Sequence, residues 1–308
     1  MTRRIAAIGE CMLELSGAEK TAMTLSFGGD TLNTSIYLAR LGEVVDYLTA
    51  LGDDPYSSEM IEAWQAEGVG TSHVLRATHR LPGIYAIRTD LWGERQFHYW
   101  REMAPARELP EFNDWSRLTN HLLSCDLIYF SGVTLSIYSP VSRERLREAL
   151  SAARDNGSRV AFDTNYRPQG WPNTAVARKI IETFLPLVDI ALPTLDDEEA
   201  LFGDRDAEHT ADRLHEAGIP EVAVKLGPDG CLFSSFDDRR TIAPKLVRDP
   251  IDTTGAGDAF NAGYLASRLT GEAPEIATHK ANLIASEAIM HRGAIIPLDA
   301  MPKLFSRK

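Results

Sequence analysis

Cysteine is scarce in this chain. There are three in 308 residues, Cys11, Cys125 and Cys231, far apart and without a CxxC pair. Neither a disulfide framework nor a cysteine-built zinc site fits that pattern, so each thiol reads as a small buried apolar group. Long hydrophobic runs are missing too. The N-terminal apolar run ends at Glu10, too short for a signal-peptide core. Nothing approaches the ~18 apolar residues of a membrane-spanning helix. The sequence reads as soluble and cytoplasmic, with no membrane partner. Positive charge is in deficit, with 32 Lys and Arg against 44 Asp and Glu and a net charge of −12. A nucleic-acid binder would show a basic footprint instead. A small anionic ligand stays open, because the charge inside a pocket decides that.

Several catalytic signatures are absent. No Gly is followed by Lys, which removes the Walker A loop, and there is no HExxH, no G-x-S-x-G and no HRD or DFG set. The eight histidines are scattered and read as surface or packed residues.

What is present is a regular alternation. Ile5–Gly9, Asp46–Leu51, Leu127–Ser131, Arg159–Asp163 and Ile190–Leu192 read as buried strands. Thr31–Leu41, Tyr56–Glu67, Val141–Asn156, Thr174–Leu185, Gly255–Leu269 and Pro274–His291 read as helices, with two more from Asp196 and Ala207. Glu221–Leu226 and Cys231–Ser234 pair around Gly227-Pro228-Asp229-Gly230. This predicts an α/β fold, a doubly wound and mostly parallel sheet with helices on both faces, in one domain over 1–308. Gly83–Thr89 and Glu94–Trp100 flank a turn near Asp90–Gly93 and predict a projecting hairpin. The stretch from Glu10 to Phe27 is polar and contains glycine. It is assigned with 81–101 to a small β lid.

The segment Asp252-Thr253-Thr254-Gly255-Ala256-Gly257-Asp258 enters a helix rich in small residues. Glycines at a helix N-terminus let bare amides meet an anion. A carboxylate inside such a hole can accept the proton of an alcohol attacking phosphorus, and the helix dipole is expected to keep Asp258 ionised. The local residues fit a plain helix cap with flanking glycines equally well.

These residues resemble the second signature of the PfkB, or ribokinase-like, carbohydrate kinases. Gly28-Gly29-Asp30-Thr31-Leu32-Asn33 resembles the first. Gly9–Leu15, Gly28–Ser35, Tyr99-Trp100-Arg101, Asn165-Tyr166-Arg167-Pro168 and Arg292–Pro297 are similar to the branch of that family acting on 2-keto-3-deoxygluconate. The resemblance implies ATP and Mg²⁺ as cofactors and transfer of the γ-phosphate to a primary hydroxyl. It makes Asp258 the base and Gly255, Ala256 and Gly257 the anion hole. It puts Gly29, Asp30, Thr31, Leu32, Asn33, Tyr85, Tyr99, Trp100, Arg101 and Arg167 on the sugar. On the nucleotide side it puts Asn165, Tyr166, Arg167, Lys225, Leu226, Gly227, Pro228, Asp229, Gly230 and Asn282. It adds a K⁺ loop beside Asp252 and a homo-oligomer through the lid. The usual Asn-x-x-Glu near the metal reads Thr194-x-x-Asp197 here, and Asp197 can act on Mg²⁺ through water. Apart from the resemblance, Arg101 and Arg167 favour an acid sugar, because a planar guanidinium binds a carboxylate with two prongs. Pairing of either arginine with a protein carboxylate is the alternative. Trp64 and Trp92 read as packing residues.

Overall fold

The computed structural model describes residues 3–19, 22–89 and 95–304. In chain order they form β1 (Arg4–Ile8), β2 (Met12–Glu19), β3 (Ala22–Gly28), α1 (Asp30–Arg40), β4 (Val44–Gly52), α2 (Pro55–Ala66), β5 (Val74–Ala77), β6 (Ile84–Thr89) and β7 (Arg95–Trp100). There follow α3 (Trp115–Leu122), β8 (Leu127–Ser131), α4 (Gly132–Ile137), α5 (Pro140–Asp155), β9 (Arg159–Asp163), α6 (Thr174–Phe184), β10 (Ile190–Ala191), α7 (Leu195–Phe202) and α8 (Ala207–Glu216). The chain ends with β11 (Glu221–Lys225), β12 (Cys231–Ser235), β13 (Arg239–Ile242), α9 (Ala256–Leu269) and α10 (Pro274–Ala288).

Nine strands make one sheet in the order β13-β12-β11-β10-β9-β8-β1-β4-β5. It is parallel from β11 to β5 and antiparallel at β12 and β13. A strand buried on both faces must be apolar at every position, and β1 meets that demand. Its Ile5 and Ala7 enter a core with α1, α2, α9 and α10, while Ala6 and Ile8 enter a second core with α3, α5, α6 and α8. Helix starts are chemically marked. Asp54 and Ser139 accept from the Ser57 and Ser142 amides at 3.1 and 3.0 Å, each followed by a proline, which has no N–H in need of an acceptor.

The chain runs outward in both directions from β1, so the order reverses between β1 and β8. The crevice at the carboxyl ends of such strands is where open α/β sheets bind ligands. A second sheet, ordered β3-β2-β6-β7, lies within the two segments assigned to the lid. The stretch after Glu10, assigned to the lid without individual strands, is two antiparallel strands. Leu13 and Leu15 face Phe27 and Leu25 in register, alternating with Glu14 and Ser26, a period of two diluted by its polar partners. The sequence reading also omitted β5, α3, α4 and β13, all short. Trp64 packs as expected, fully buried and edge-on to Tyr47 at 5.3 Å. The turn 90–93 and Trp92 lie outside the described residues.

Candidate active site

Gly255 caps α9 in the left-handed region, at φ +73°, and a Cβ there would overlap Ala294. The turn therefore needs glycine for both conformation and space. Gly257 has more room. A Cβ on it would stand 3.6 Å from Lys225 Nζ, an ordinary contact, so the ammonium lies beside the first turn of the helix. Lys225 ends β11 and is buried. It donates to Asp163 Oδ2 at 2.7 Å and to Asn261 Oδ1 at 3.0 Å. Asn261 in turn donates to Asp163 at 2.6 Å and to the Tyr129 hydroxyl at 3.0 Å. An ammonium carries three N–H bonds, and two are used in this network. Asp163 and Asn261 were not singled out from sequence. The available signal was an Asp at the carboxyl end of a buried strand.

Asp258, in the first turn of α9, accepts from Asn33 Nδ2 at 2.8 Å, and its carbonyl accepts from Thr34. Burial first, and then the charges of Asp30 and Asp163, push its carboxyl well above the ordinary range, against the pull of Asn33 and Lys225. This reverses the expectation of a carboxylate kept weakly basic by the helix dipole, because desolvation and two neighbouring acids outweigh it. Asp30 accepts from Asn165 Nδ2 at 2.7 Å. Asn165 itself is held at φ +33°, with its amide on Asp163 Oδ1 at 3.1 Å.

The Gly-Gly segment divides. Gly29 caps α1, and Asp30 and Asn33 reach the crevice. Leu32 is packed in the core and the buried Thr31 hydroxyl is on Tyr47 at 3.1 Å. Tyr166 likewise packs inward, its hydroxyl 3.2 Å from Thr174. On the lid, Tyr85 is paired with Tyr99 across the strands, ring centroids 6.0 Å apart. Alternation puts the neighbouring Trp100 on the opposite face, 59% exposed. The Tyr85 hydroxyl donates to Glu14.

Arg101 lies over the Tyr99 ring, 5.6 Å from its centroid, and donates to the buried Glu10, a partner not anticipated from sequence. Arg167 is exposed and donates to Asp197 Oδ1 at 3.1 Å and to its neighbour's carbonyl at 2.9 Å. Burial pushes the Tyr99 hydroxyl's pKa up, against the pull of both guanidiniums. Asp197 is raised chiefly by burial, with Asp163 adding to it and Arg167 and Lys225 opposing. Leu226, Gly227, Pro228 and Asp229 face Thr194 and Asp196 across a groove of about 470 Å³. Gly230 ends that turn. Asn282 donates to Ile242 O, in β13, at 3.2 Å. Asp252 accepts from the Thr254 and Gly293 amides, each at 2.9 Å, which ties its loop to the segment beside Gly255.

A buried carboxylate at a helix N-terminus, an ammonium across from it and a groove alongside suit phosphoryl transfer. The comparisons agree. The family described as pfkB family carbohydrate kinase matches residues 2–301. The 2-dehydro-3-deoxygluconokinase of Escherichia coli K12 is 47% identical over 98% of this chain and 100% of its own length. That of Haemophilus influenzae is 41% identical over 99% of each. A crystal structure of fructokinase from Vibrio cholerae O395 with fructose, ADP and a calcium ion superposes with a TM-score of 0.83, at 23% identity over 96% of each chain. With both signatures meeting in one crevice and the match running nearly end to end, this chain belongs to the pfkB family of carbohydrate kinases.

Proposed function

We propose that this kinase moves the γ-phosphoryl group of ATP to the primary 6-hydroxyl of 2-keto-3-deoxy-D-gluconate, giving 2-keto-3-deoxy-6-phosphogluconate. The observation that carries the reading is the placement of Asp258. It is buried at the start of α9, held by Asn33 from the sugar-side segment, and lies in the same turn as Gly257, beside Lys225. The hydroxyl oxygen forms a bond to the γ-phosphorus, the bond to the β-phosphate oxygen breaks, and the hydroxyl proton passes to Asp258. Gly255, Ala256 and Gly257 offer backbone N–H groups to the charge on the moving phosphoryl, and Lys225 adds a cation. The groove at Leu226–Asp229 would take the rest of the nucleotide.

Mg²⁺ supplies charge neutralisation on the phosphates when bound. Asp197 fits it through water, being a part-buried carboxylate whose one exposed arginine can swing away. A monovalent cation such as K⁺ would sit in the loop tied by Asp252. The acid sugar is supported by Arg101 and Arg167, each of which would exchange its protein carboxylate, Glu10 or Asp197, for the sugar's or bind both. The lid face bearing the exposed Leu25 and Trp100 would pair two copies into a homo-oligomer.

An acceptor screen with ATP tests the reading. 2-Keto-3-deoxygluconate should be turned over with far higher kcat/KM than gluconate, fructose or ribose. Preference for fructose or ribose would move the assignment to another sugar of the same family.

A further inference from the structure

β9 and β11 are next-but-one neighbours in the large sheet, with β10 between them. Adjacent strands lie about 4.8 Å apart, so the ends of β9 and β11 stand roughly twice that far from each other. β10 is only two residues long, and the chain beyond it meets Lys225 through a single bridge at Thr194. A long side chain can therefore cross its end. Lys225, the last residue of β11, does so and donates to Asp163, the last residue of β9, at 2.7 Å. Both side chains are buried.

Asp163 uses its two oxygens for different walls of the crevice. Oδ2 accepts from Lys225 and, at 2.6 Å, from Asn261 Nδ2. Asn261 lies on α9 and returns its own oxygen to Lys225 at 3.0 Å, so the ammonium is held from two sides. Of its three N–H bonds one is left for a ligand, beside the first turn of α9. Oδ1 accepts from the Asn165 amide at 3.1 Å. Asn165 stands at φ +33°, a left-handed conformation that a residue other than glycine keeps only where its surroundings hold it. From there its side chain donates to Asp30 Oδ2 at 2.7 Å, on the sugar-side segment. Fold stability is a weak reason for such an arrangement, since a buried ion pair is often no more stabilising than apolar residues of the same volume. What the pair provides is a fixed place for a charge.

We propose that Asp163 is a positioning residue for phosphoryl transfer, its one carboxylate fixing the Lys225 ammonium beside the start of α9 and the Asn165 backbone beside Asp30. The inference rests on the kinase reading above and adds the group that sets where its cation stands. Asp163 is engaged by protein donors on both oxygens and acts through Lys225.

Both oxygens of Asp163 accept, whereas an asparagine there offers one oxygen and one NH₂ group. In Asp163→Asn one set of donors must face another donor, and Lys225 loses its counter-charge. Misplacement by about 1 Å costs on the order of 100-fold in rate, so kcat should fall by about that factor. The assay uses ATP and the acceptor preferred in the screen above, at a temperature where circular dichroism shows the variants folded. Lys225→Met removes the cation itself and should lower kcat by about 10² to 10³. Adding Asp163→Asn to Lys225→Met should lower it by no more than about a further twofold. The ammonium is then gone, and the asparagine's single oxygen is free to stay on the Asn165 amide. The double variant strands neither charge, so its comparison with Lys225→Met decides even if Asp163→Asn alone does not fold. A kcat for Asp163→Asn within about twofold of the unmodified enzyme overturns the proposal. So do losses that multiply in the double variant, because Asp163 would then act independently of Lys225. Absence of kinase activity in the unmodified chain defeats the function and this role with it, whereas an active enzyme indifferent to Asp163 defeats only the role.

Discussion

The Asn33 amide donates to Asp258 Oδ2 at 2.8 Å, joining the first turns of two helices 225 residues apart in sequence. The bond favours the charged carboxylate, while burial and the charges of Asp30 and Asp163 disfavour it. A base must be ionised to act, so kcat/KM should fall as pH drops through the raised pKa of Asp258, above the ordinary carboxylate value of about 4. Asn33→Leu keeps the size and removes the donor. Its acid limb should move to still higher pH. A pH profile that coincides with the unmodified enzyme would show that Asn33 does not tune the base.

Removing the base itself has a larger effect. Asp258→Asn preserves volume and a partner for Asn33, and turnover should fall by about 10² to 10⁴. Nucleotide affinity should hold or rise, because a negative charge beside the phosphates is gone. Steady-state kinetics together with a nucleotide titration separates the two. Near-normal turnover would remove Asp258 from the reaction.

Gly257→Val puts branched carbon where even a Cβ would stand 3.6 Å from Lys225 Nζ. The helix should survive, since the space is open to a ligand and not filled by packing. Phosphoryl transfer should be abolished by obstruction. Circular dichroism with a kinase assay decides, and a folded, active variant would mean that no anion approaches these amides.

The sequence carried the sheet well because its strands are short apolar runs between capped helices, as in RVAFD at Arg159–Asp163. It placed Gly255 to Asp258 at a helix start, as found, while the local residues left a plain cap and an anion hole equally open. It did not carry partners joined only by folding. Glu10 and Arg101 are 91 residues apart, and Lys225 and Asp163 are 62 apart, and nothing local marks either pair. Thr31, Leu32 and Tyr166 illustrate the converse. A motif names a run of residues, but helix and strand geometry turns some of them into the core. Alternation likewise puts Trp100 on the lid face opposite Tyr99.

Glu198 links stability to pH. It is fully buried on α7, bonded to Arg213 at 2.5 Å, and burial raises its pKa from 4.5 to about 7. Between those values the folded chain keeps a proton that the unfolded chain has released. Stability is therefore lost as pH rises across that window and levels off above it. Glu198→Gln removes this slope while Arg213 keeps Asp204 at 2.7 Å. Calorimetric Tm values from about pH 4.5 to about 7 should decline less in the variant, and an unchanged decline would place the titration elsewhere.

Arg101 has two candidate jobs, and the Glu10 contact makes them separable. Glu10 is 3% exposed, so Arg101→Ala leaves a buried carboxylate without its cation, at a cost of about 3–5 kcal/mol in stability. If Arg101 also holds the sugar carboxylate, the loss of a charge-assisted bond of about 1.5–3 kcal/mol lowers kcat/KM for 2-keto-3-deoxygluconate by roughly 10- to 150-fold. Fructose makes no such bond, so its weak turnover should fall far less. Combining Arg101→Ala with Glu10→Gln removes the stranded charge, and Tm should recover much of its loss. The acid-to-neutral ratio should stay low in the double variant, since the substrate's partner is still missing. A ratio that recovers together with Tm would mean that Arg101 serves Glu10 alone, leaving Arg167 to meet the sugar acid.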